Sequence, residues 1–200
     1  GWQVTYVPVD KYGLVSPEGV KKAIRKDTVL VSINHANNEV GTIEPIQEIS
    51  KIAHARDVLV HTDAVASAGH IPIDVKKLGV DLLSISAHRF YGPKGAGALY
   101  IREGTRIHPI MHGGIQENGR RAGTENVPGI VGMGKAAELA KKQVGARVQK
   151  IGALRNQFVK GIKKNMEYTL VNGHPTKILP THASICVEYV EGESILALLN

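Results

Sequence analysis

From Thr28 to Ile101, short runs of aliphatic and β-branched residues alternate with amphipathic stretches. That alternation predicts βα units around a mostly parallel sheet, an α/β fold with flanking helices. Val29–Ile33 reads as a buried strand, and Pro45–Arg56 as a helix with Ile46, Ile49, Ile52 and Ala53 on one face. Val58–His61 reads as the next strand. A short element over Val75–Leu78 leads into a strand over Leu82–Ser86, and Gly97–Ile101 supplies another. Pro93 with Gly92, Gly95 and Gly97 turns the chain between the last two. Beyond Ile101 the periodicity stops. His112 to Thr124 is rich in Gly and polar residues and reads as a long functional loop. A helical pattern resumes from Pro128 to about Lys164, with Gly145 as a candidate interruption. Asn172-Gly173-His174-Pro175 is a turn, Ala183–Tyr189 a strand, and an amphipathic helix opens near Glu193. Residues 1–127 therefore read as part of a large domain. Residues 128–200 read as a linking helix and the beginning of a smaller α+β domain.

A composition of 42% hydrophobic and 22% charged residues excludes a disordered or fibrous chain. Apolar runs such as Val29-Leu30-Val31 are strand-sized, far below the roughly 20 residues of a membrane helix. The first residues show neither an initiator Met nor a targeting signal, so the chain reads as a segment of a longer protein. One cysteine, Cys186, precludes an internal disulfide framework and makes the cytoplasm the default compartment. In the pattern Ile185-Cys186-Val187 its expected role is core packing. The net charge of +7 is concentrated: between Gly134 and Lys164 nine basic residues face one acid, leaving 16 bases and 17 acids elsewhere. A solvated helix face explains this better than nucleic-acid binding, because 4% aromatic residues provide few stacking platforms.

Ligands of parallel sheets sit at the carboxyl ends of the strands, and three ends here are chemically loaded. They are His35-Ala36-Asn37-Asn38-Glu39, His61-Thr62-Asp63, and Ser84-Ile85-Ser86-Ala87-His88-Arg89. Together they offer an amide, a carboxylate, a hydroxyl and an imidazole to one edge, a site for a polar heterocycle. Each has a duller alternative. Asp63 suits a helix N-cap, Asn38 a left-handed turn position, and Ser86 and His88 satisfied loop residues. No His spacing forms a zinc motif and no second Cys exists, so a metal site is not expected. Gly92-Pro93-Lys94-Gly95-Ala96-Gly97 precedes a strand rather than opening a helix, which is the wrong context for a phosphate loop.

Five segments in order, Asn37-Asn38-Glu39-Val40-Gly41, His61-Thr62-Asp63-Ala64, Ser84 through Gly95, Arg121-Ala122-Gly123-Thr124 and Tyr189 through Ser194, resemble the cysteine desulfurases of the IscS/NifS type. The resemblance runs the whole chain. It implies a fold-type I homodimer that uses pyridoxal 5'-phosphate to take sulfur from L-cysteine, leaving alanine and an enzyme persulfide for iron–sulfur cluster assembly. By the same resemblance Asp63 holds the proton on the cofactor's ring nitrogen and Asn38 bonds its phenolic oxygen. Ser86 and His88 lie near its phosphate, and Thr124 reaches the phosphate in the neighbouring subunit.

The sequence departs from that family at Arg89, where the resemblance implies the lysine that forms the Schiff base. A guanidinium stays protonated and offers no comparable amine. Lys94 lies beyond a Pro-containing turn and matches no cofactor-bearing position, and Ala66 replaces a glutamine common in the family. Cys186 precedes the Glu191-Gly192-Glu193-Ser194 segment, whereas the family's sulfur-accepting cysteine follows it. Three readings result. The first is a desulfurase-like subunit impaired at Arg89. The second is a non-catalytic homodimeric scaffold that binds an acidic or cluster-assembly partner through Lys135–Lys164. The third is a selenocysteine lyase-like enzyme.

Overall fold

The computed structural model describes residues 1–199. Its centre is a four-stranded sheet in which β1 (Leu30–Asn34), β2 (Leu59–Asp63), β3 (Leu82–Ser86) and β4 (Gly97–Ile101) lie side by side in chain order. The first three strands are parallel and β4 is antiparallel to β3, so the sheet is mostly parallel. Its register places Asn34 opposite Asp63, and Asp63 opposite Ser84. Three polar side chains thus fall on adjacent strands at the same end of the sheet.

Helices α1 (Pro17–Ala23), α2 (Ile46–His54) and α3 (Val75–Leu78) accompany these strands. Helix α1 starts on the Ser16 side chain, which accepts from the Gly19 amide, with Pro17 in the first turn where it costs no hydrogen bond. The apolar stripe of α2, Ile46, Ile49 and Ala53, packs with Val20, Val60, Val80 and Leu83 into the main core. The opposite face of the sheet carries Ser32, His61 and Ser84. The His61 ring bridges both hydroxyls, Nδ1 to Ser32 at 2.8 Å and Nε2 to Ser84 at 2.9 Å.

Asp81 fixes the entry to β3. Its buried carboxylate accepts from the Val60 amide at 2.8 Å, meets His54 Nε2 at 2.8 Å and lies 3.5 Å from Arg102 Nε. Removing it strands a buried amide donor, which costs about 2 kcal/mol. Asp81→Ala is therefore expected to lower the free energy of unfolding by about that amount in urea titration. A change within about 0.5 kcal/mol would mean the cluster contributes no more than a surface residue.

After β4 the chain passes through an irregular segment containing a single turn, α4 (Gln116–Gly119), and enters α5 (Val127–Asn165). Asn126 caps α5 by accepting from the Gly129 amide, with Pro128 in the first turn. The helix runs unbroken through Gly145, the residue expected to interrupt it. A glycine weakens a helix by about 1 kcal/mol without breaking it, and 39 residues absorb that cost. Helix α5 packs on the short 3-10 turn Ala87–Phe90 through the cluster of Ala68, Ala87, Phe90 and Ala136. The chain continues into a two-stranded antiparallel ladder, β5 (Thr169–Val171) with β6 (Ile185–Val187), and then α6 (Gly192–Leu198).

Cys186 does not pack in a core; it is exposed. Strand alternation turns Ile185 and Val187 inward and Cys186 outward, opposite Leu170, which is 56% exposed. Its sulfur accepts from Asn172 Nδ2 at 3.1 Å. Among the described residues no helix is long and apolar enough to cross a membrane, and no group of three or more His, Cys, Asp or Glu is placed to hold a metal.

Candidate functional site

At the carboxyl end of the parallel strands lies an open cleft of about 250 Å³ lined by Asn34, Ala36, Asn38, Asp63, Val65, Ala66, His88 and Arg89. It contains one carboxylate, one guanidinium, one imidazole and two amides. Asp63 ends β2 rather than following it, and its Oδ1 accepts from the Val65 amide at 2.8 Å. No helix follows Asp63, so it is not a helix N-cap. The bond to Val65 fixes one oxygen, and the carboxylate still faces the cleft.

The turn after β1 explains how Asn38 becomes available. Asn37 Oδ1 accepts from the amides of Glu39 at 2.8 Å and Val40 at 3.0 Å, and Gly41 takes the left-handed position at φ 78°. Asn38 therefore holds no left-handed place in the turn. Its Nδ2 donates to Glu39 Oε1 at 2.7 Å, and the amide lines the cleft.

Ser86 and His88 are joined, Oγ to Nδ1 at 2.8 Å. This bond occupies one ring nitrogen of His88 and leaves Nε2 without a protein partner among the described residues. Ser86 itself does not line the cleft; it reaches the site through His88. The 3-10 turn carrying His88 and Arg89 is held at several points. The Ala87 amide donates to Ala96 O at 2.9 Å, and the Gly92 amide to Ala87 O at 2.9 Å. A Cβ at Gly92 would lie 2.9 Å from Ala87 Cβ, so only glycine allows the chain to fold back this closely. His70 Nε2 donates to the Arg89 carbonyl at 2.9 Å, which fixes its backbone from the neighbouring loop. The Arg89 side chain has no hydrogen bond or ion pair among the described residues.

Lys94 is exposed and does not line the cleft. Thr124 is exposed in the loop before α5 and is not brought to the cleft of its own chain. Ala66 does line it, offering only a methyl group. Asn34 also lines the cleft; it is the last residue of β1 and lies opposite Asp63 in the register, a polar strand end that is the signal for it in the sequence.

Burial shapes the surrounding histidines. His35, beside the cleft, is buried with Nδ1 against Ser67 Oγ at 2.9 Å, and desolvation pushes its pKa down. His61 and His70 are also pushed down, chiefly by desolvation; Asp63 partly offsets this for His61. These groups bind protons more readily when unfolded, so their contribution is complete above the ordinary histidine range and falls as pH drops through about 6.5. Glu44 works in the opposite sense, since burial raises its pKa despite the Val15 amide that bonds it. Stability is thus expected to decline between pH 7.5 and 5.5, and His35→Asn is expected to flatten that slope, read from urea midpoints at each pH. An unchanged slope would show that His35 protonates equally well in both states.

The donor set matches the non-covalent contacts of pyridoxal phosphate: a carboxylate for a protonated ring nitrogen, an amide for a phenolic oxygen, and a hydroxyl–imidazole pair for a phosphate. It does not match the covalent contact, because among the described residues no amine lines the cleft.

Comparison with known proteins agrees with this architecture. The chain is 58% identical over its 200 residues to a cysteine desulfurase IscS of Dictyoglomus turgidum and 56% identical to one of Methanosarcina thermophila. All of this chain is covered in each case, against 51% and 49% of the relatives, so it spans about half the length of the curated proteins it matches. Among solved structures, a NifS-like protein superposes over the whole chain and 55% of its own length with a TM-score of 0.94 at 42% identity. A structure of SspA in complex with cysteine superposes with a TM-score of 0.83 at 36% identity, covering all of this chain and 55% of SspA. The family model for aminotransferase class-V matches residues 1–200 from end to end, and the chain belongs to that family.

Proposed function

We propose that this chain is the central part of a cysteine desulfurase-like subunit that holds pyridoxal phosphate without a covalent bond and is impaired in sulfur transfer. The observation carrying this reading is the cleft itself, where Asp63, Asn38 and His88 converge and Arg89 occupies the place of an amine. The class-V family is dependent on pyridoxal phosphate, and the relatives named above are cysteine desulfurases. L-Cysteine is the proposed substrate, with alanine and an enzyme persulfide as products.

When bound, the cofactor supplies an electron sink, effective while its ring nitrogen is protonated. The residues here take the supporting roles. Asp63 keeps that proton in place, Asn38 donates to the phenolic oxygen, and Ser86 orients His88 so that Nε2 faces the ligand. Thr124 acts across a homodimer interface at the partner's phosphate. Residues 1–127 belong to the cofactor-binding domain, and 128–200 to the linking helix and part of a smaller domain. The compartment proposed is the cytoplasm. Arg89 leaves the cofactor without a covalent anchor, because a guanidinium does not surrender its proton near neutral pH.

A second reading, a non-catalytic scaffold, gains support from the exposed bases Lys141, Lys142, Lys150, Lys160, Lys163 and Lys164 along α5. Its partner would be acidic, an iron–sulfur scaffold protein in keeping with the relatives' activity. A selenocysteine lyase-like activity differs only in the chalcogen removed. One experiment separates these readings. Purified protein is mixed with pyridoxal phosphate, reduced with borohydride, and peptide-mapped, while sulfide and selenide release from cysteine and selenocysteine are assayed in parallel. The proposal expects the visible spectrum of non-covalently held cofactor, no mapped adduct at Arg89 or Lys94, and little sulfide. An adduct at either residue refutes it. Salt-sensitive retention of the scaffold protein with no cofactor binding supports the second reading instead.

A further inference from the structure

We infer that Arg89 makes the cleft a carboxylate-reading site, so that its preferred ligand is the amine-linked conjugate of the cofactor with an α-amino acid rather than the cofactor alone. This inference rests on the pyridoxal phosphate reading above and adds to it the class of ligand and the residue that selects it.

The argument begins with charge. The cleft lining holds one carboxylate, Asp63, and one guanidinium, Arg89, and no ion pair joins them within 4 Å. Asp63 is engaged locally by the Val65 amide, whereas the Arg89 side chain has no partner among the described residues. The backbone beneath it is nevertheless fixed, by His70 at its carbonyl and by the packing of Phe90 against Gly69. His70 uses Nε2–H to donate there; burial pushes its pKa down, the bond to the Arg89 carbonyl opposes that, and the adjacent Arg89 charge adds to it. The permanently positive group that lines the cleft from this segment is the Arg89 guanidinium, with the His88 ring beside it.

A lysine at this position would present an amine to the cofactor aldehyde. Arg89 presents instead a planar fork of N–H donors that matches a carboxylate. The amine of an amino acid would condense with the cofactor aldehyde, its carbonyl oxygen leaving as water, and the carboxylate on the adjacent α-carbon would supply the anion the fork lacks. A phosphate is the competing anion for Arg89, and the two are distinguished by ligands that share the phosphate and differ only in the carboxylate.

Three stable probes suffice: pyridoxamine phosphate, N-(5'-phosphopyridoxyl)-L-alanine, and its decarboxylated counterpart N-(5'-phosphopyridoxyl)ethylamine. Each is titrated against the whole chain by fluorescence. The alanine conjugate is expected to bind about ten-fold or more tightly than the ethylamine conjugate, the scale of a charge-assisted pair. Arg89→Gln is expected to remove that difference, and Arg89→Lys, which keeps the charge but loses the fork, to retain part of it. Equal affinity of the two conjugates for the unaltered chain overturns the inference. If Arg89→Gln weakens all three probes alike, Arg89 binds the shared phosphate and the inference also fails. Failure of all three probes to bind would instead sink the cofactor reading, and this inference with it.

Discussion

Arg89→Lys is expected to convert a protein that yields no borohydride-stable adduct into one labelled stoichiometrically at position 89. The scaffold for such a lysine is already in place. The 3-10 turn is tied through Ala87 to Ala96 just before β4, to the neighbouring loop through His70, and to α5 through Phe90. Substitution changes the side chain, not the turn. An amine held in a cleft reacts with an aldehyde bound beside it at an effective concentration far above any achieved in solution, and burial of its stem helps it lose a proton. Cofactor retained after gel filtration should rise by about 100-fold or more relative to the unaltered chain. Peptide mapping identifies the site, and sulfide release from cysteine reports whether chemistry follows attachment. The outcome fatal to this account is equal labelling of the two proteins, which would place the reactive amine elsewhere.

Much of this arrangement was legible because the strand pattern is strong and the site lies where parallel strands end. The predicted strand over Leu82–Ser86 and that over Gly97–Ile101 match β3 and β4 residue for residue, since each has sharp turn signals on both sides. The ends of β2 were less clear. Its hydrophobic pattern fades at His61, yet pairing with β1 and β3 carries the strand to Asp63, because backbone hydrogen bonds extend a strand regardless of side-chain polarity. Helix α1 is hard to read from sequence although Ser16-Pro17-Glu18 is a clear start signal, because seven residues are too few to show a period. The exposure of Cys186 departs from its expected core role for a physical reason: an apolar triplet says that a strand is present, but not which of its two faces is covered. The convergence of Asn38, Asp63 and His88 followed from topology, while the fate of the Arg89 side chain and the join between Ser86 and His88 needed coordinates.

Asp63→Asn tests the cradle most directly, because it separates the local duty of this residue from its proposed one. Oδ1 of an asparagine accepts from the Val65 amide as an aspartate does, so the turn after β2 survives and stability should change by no more than about 0.5 kcal/mol. What is lost is the negative charge. A neutral amide does not hold a proton on a pyridine nitrogen, and a charge-assisted hydrogen bond contributes about 1.5–3 kcal/mol more than water offers. Pyridoxamine phosphate should therefore bind roughly 10- to 100-fold more weakly. Because the loss falls on the ring-protonated form, the affinity of the unaltered chain should drop as the ring nitrogen loses its proton with rising pH, and that dependence should vanish in Asp63→Asn. Unchanged affinity and an unchanged pH profile would reduce Asp63 to a turn residue. The polar edge of the sheet would then have to serve some ligand without a basic ring.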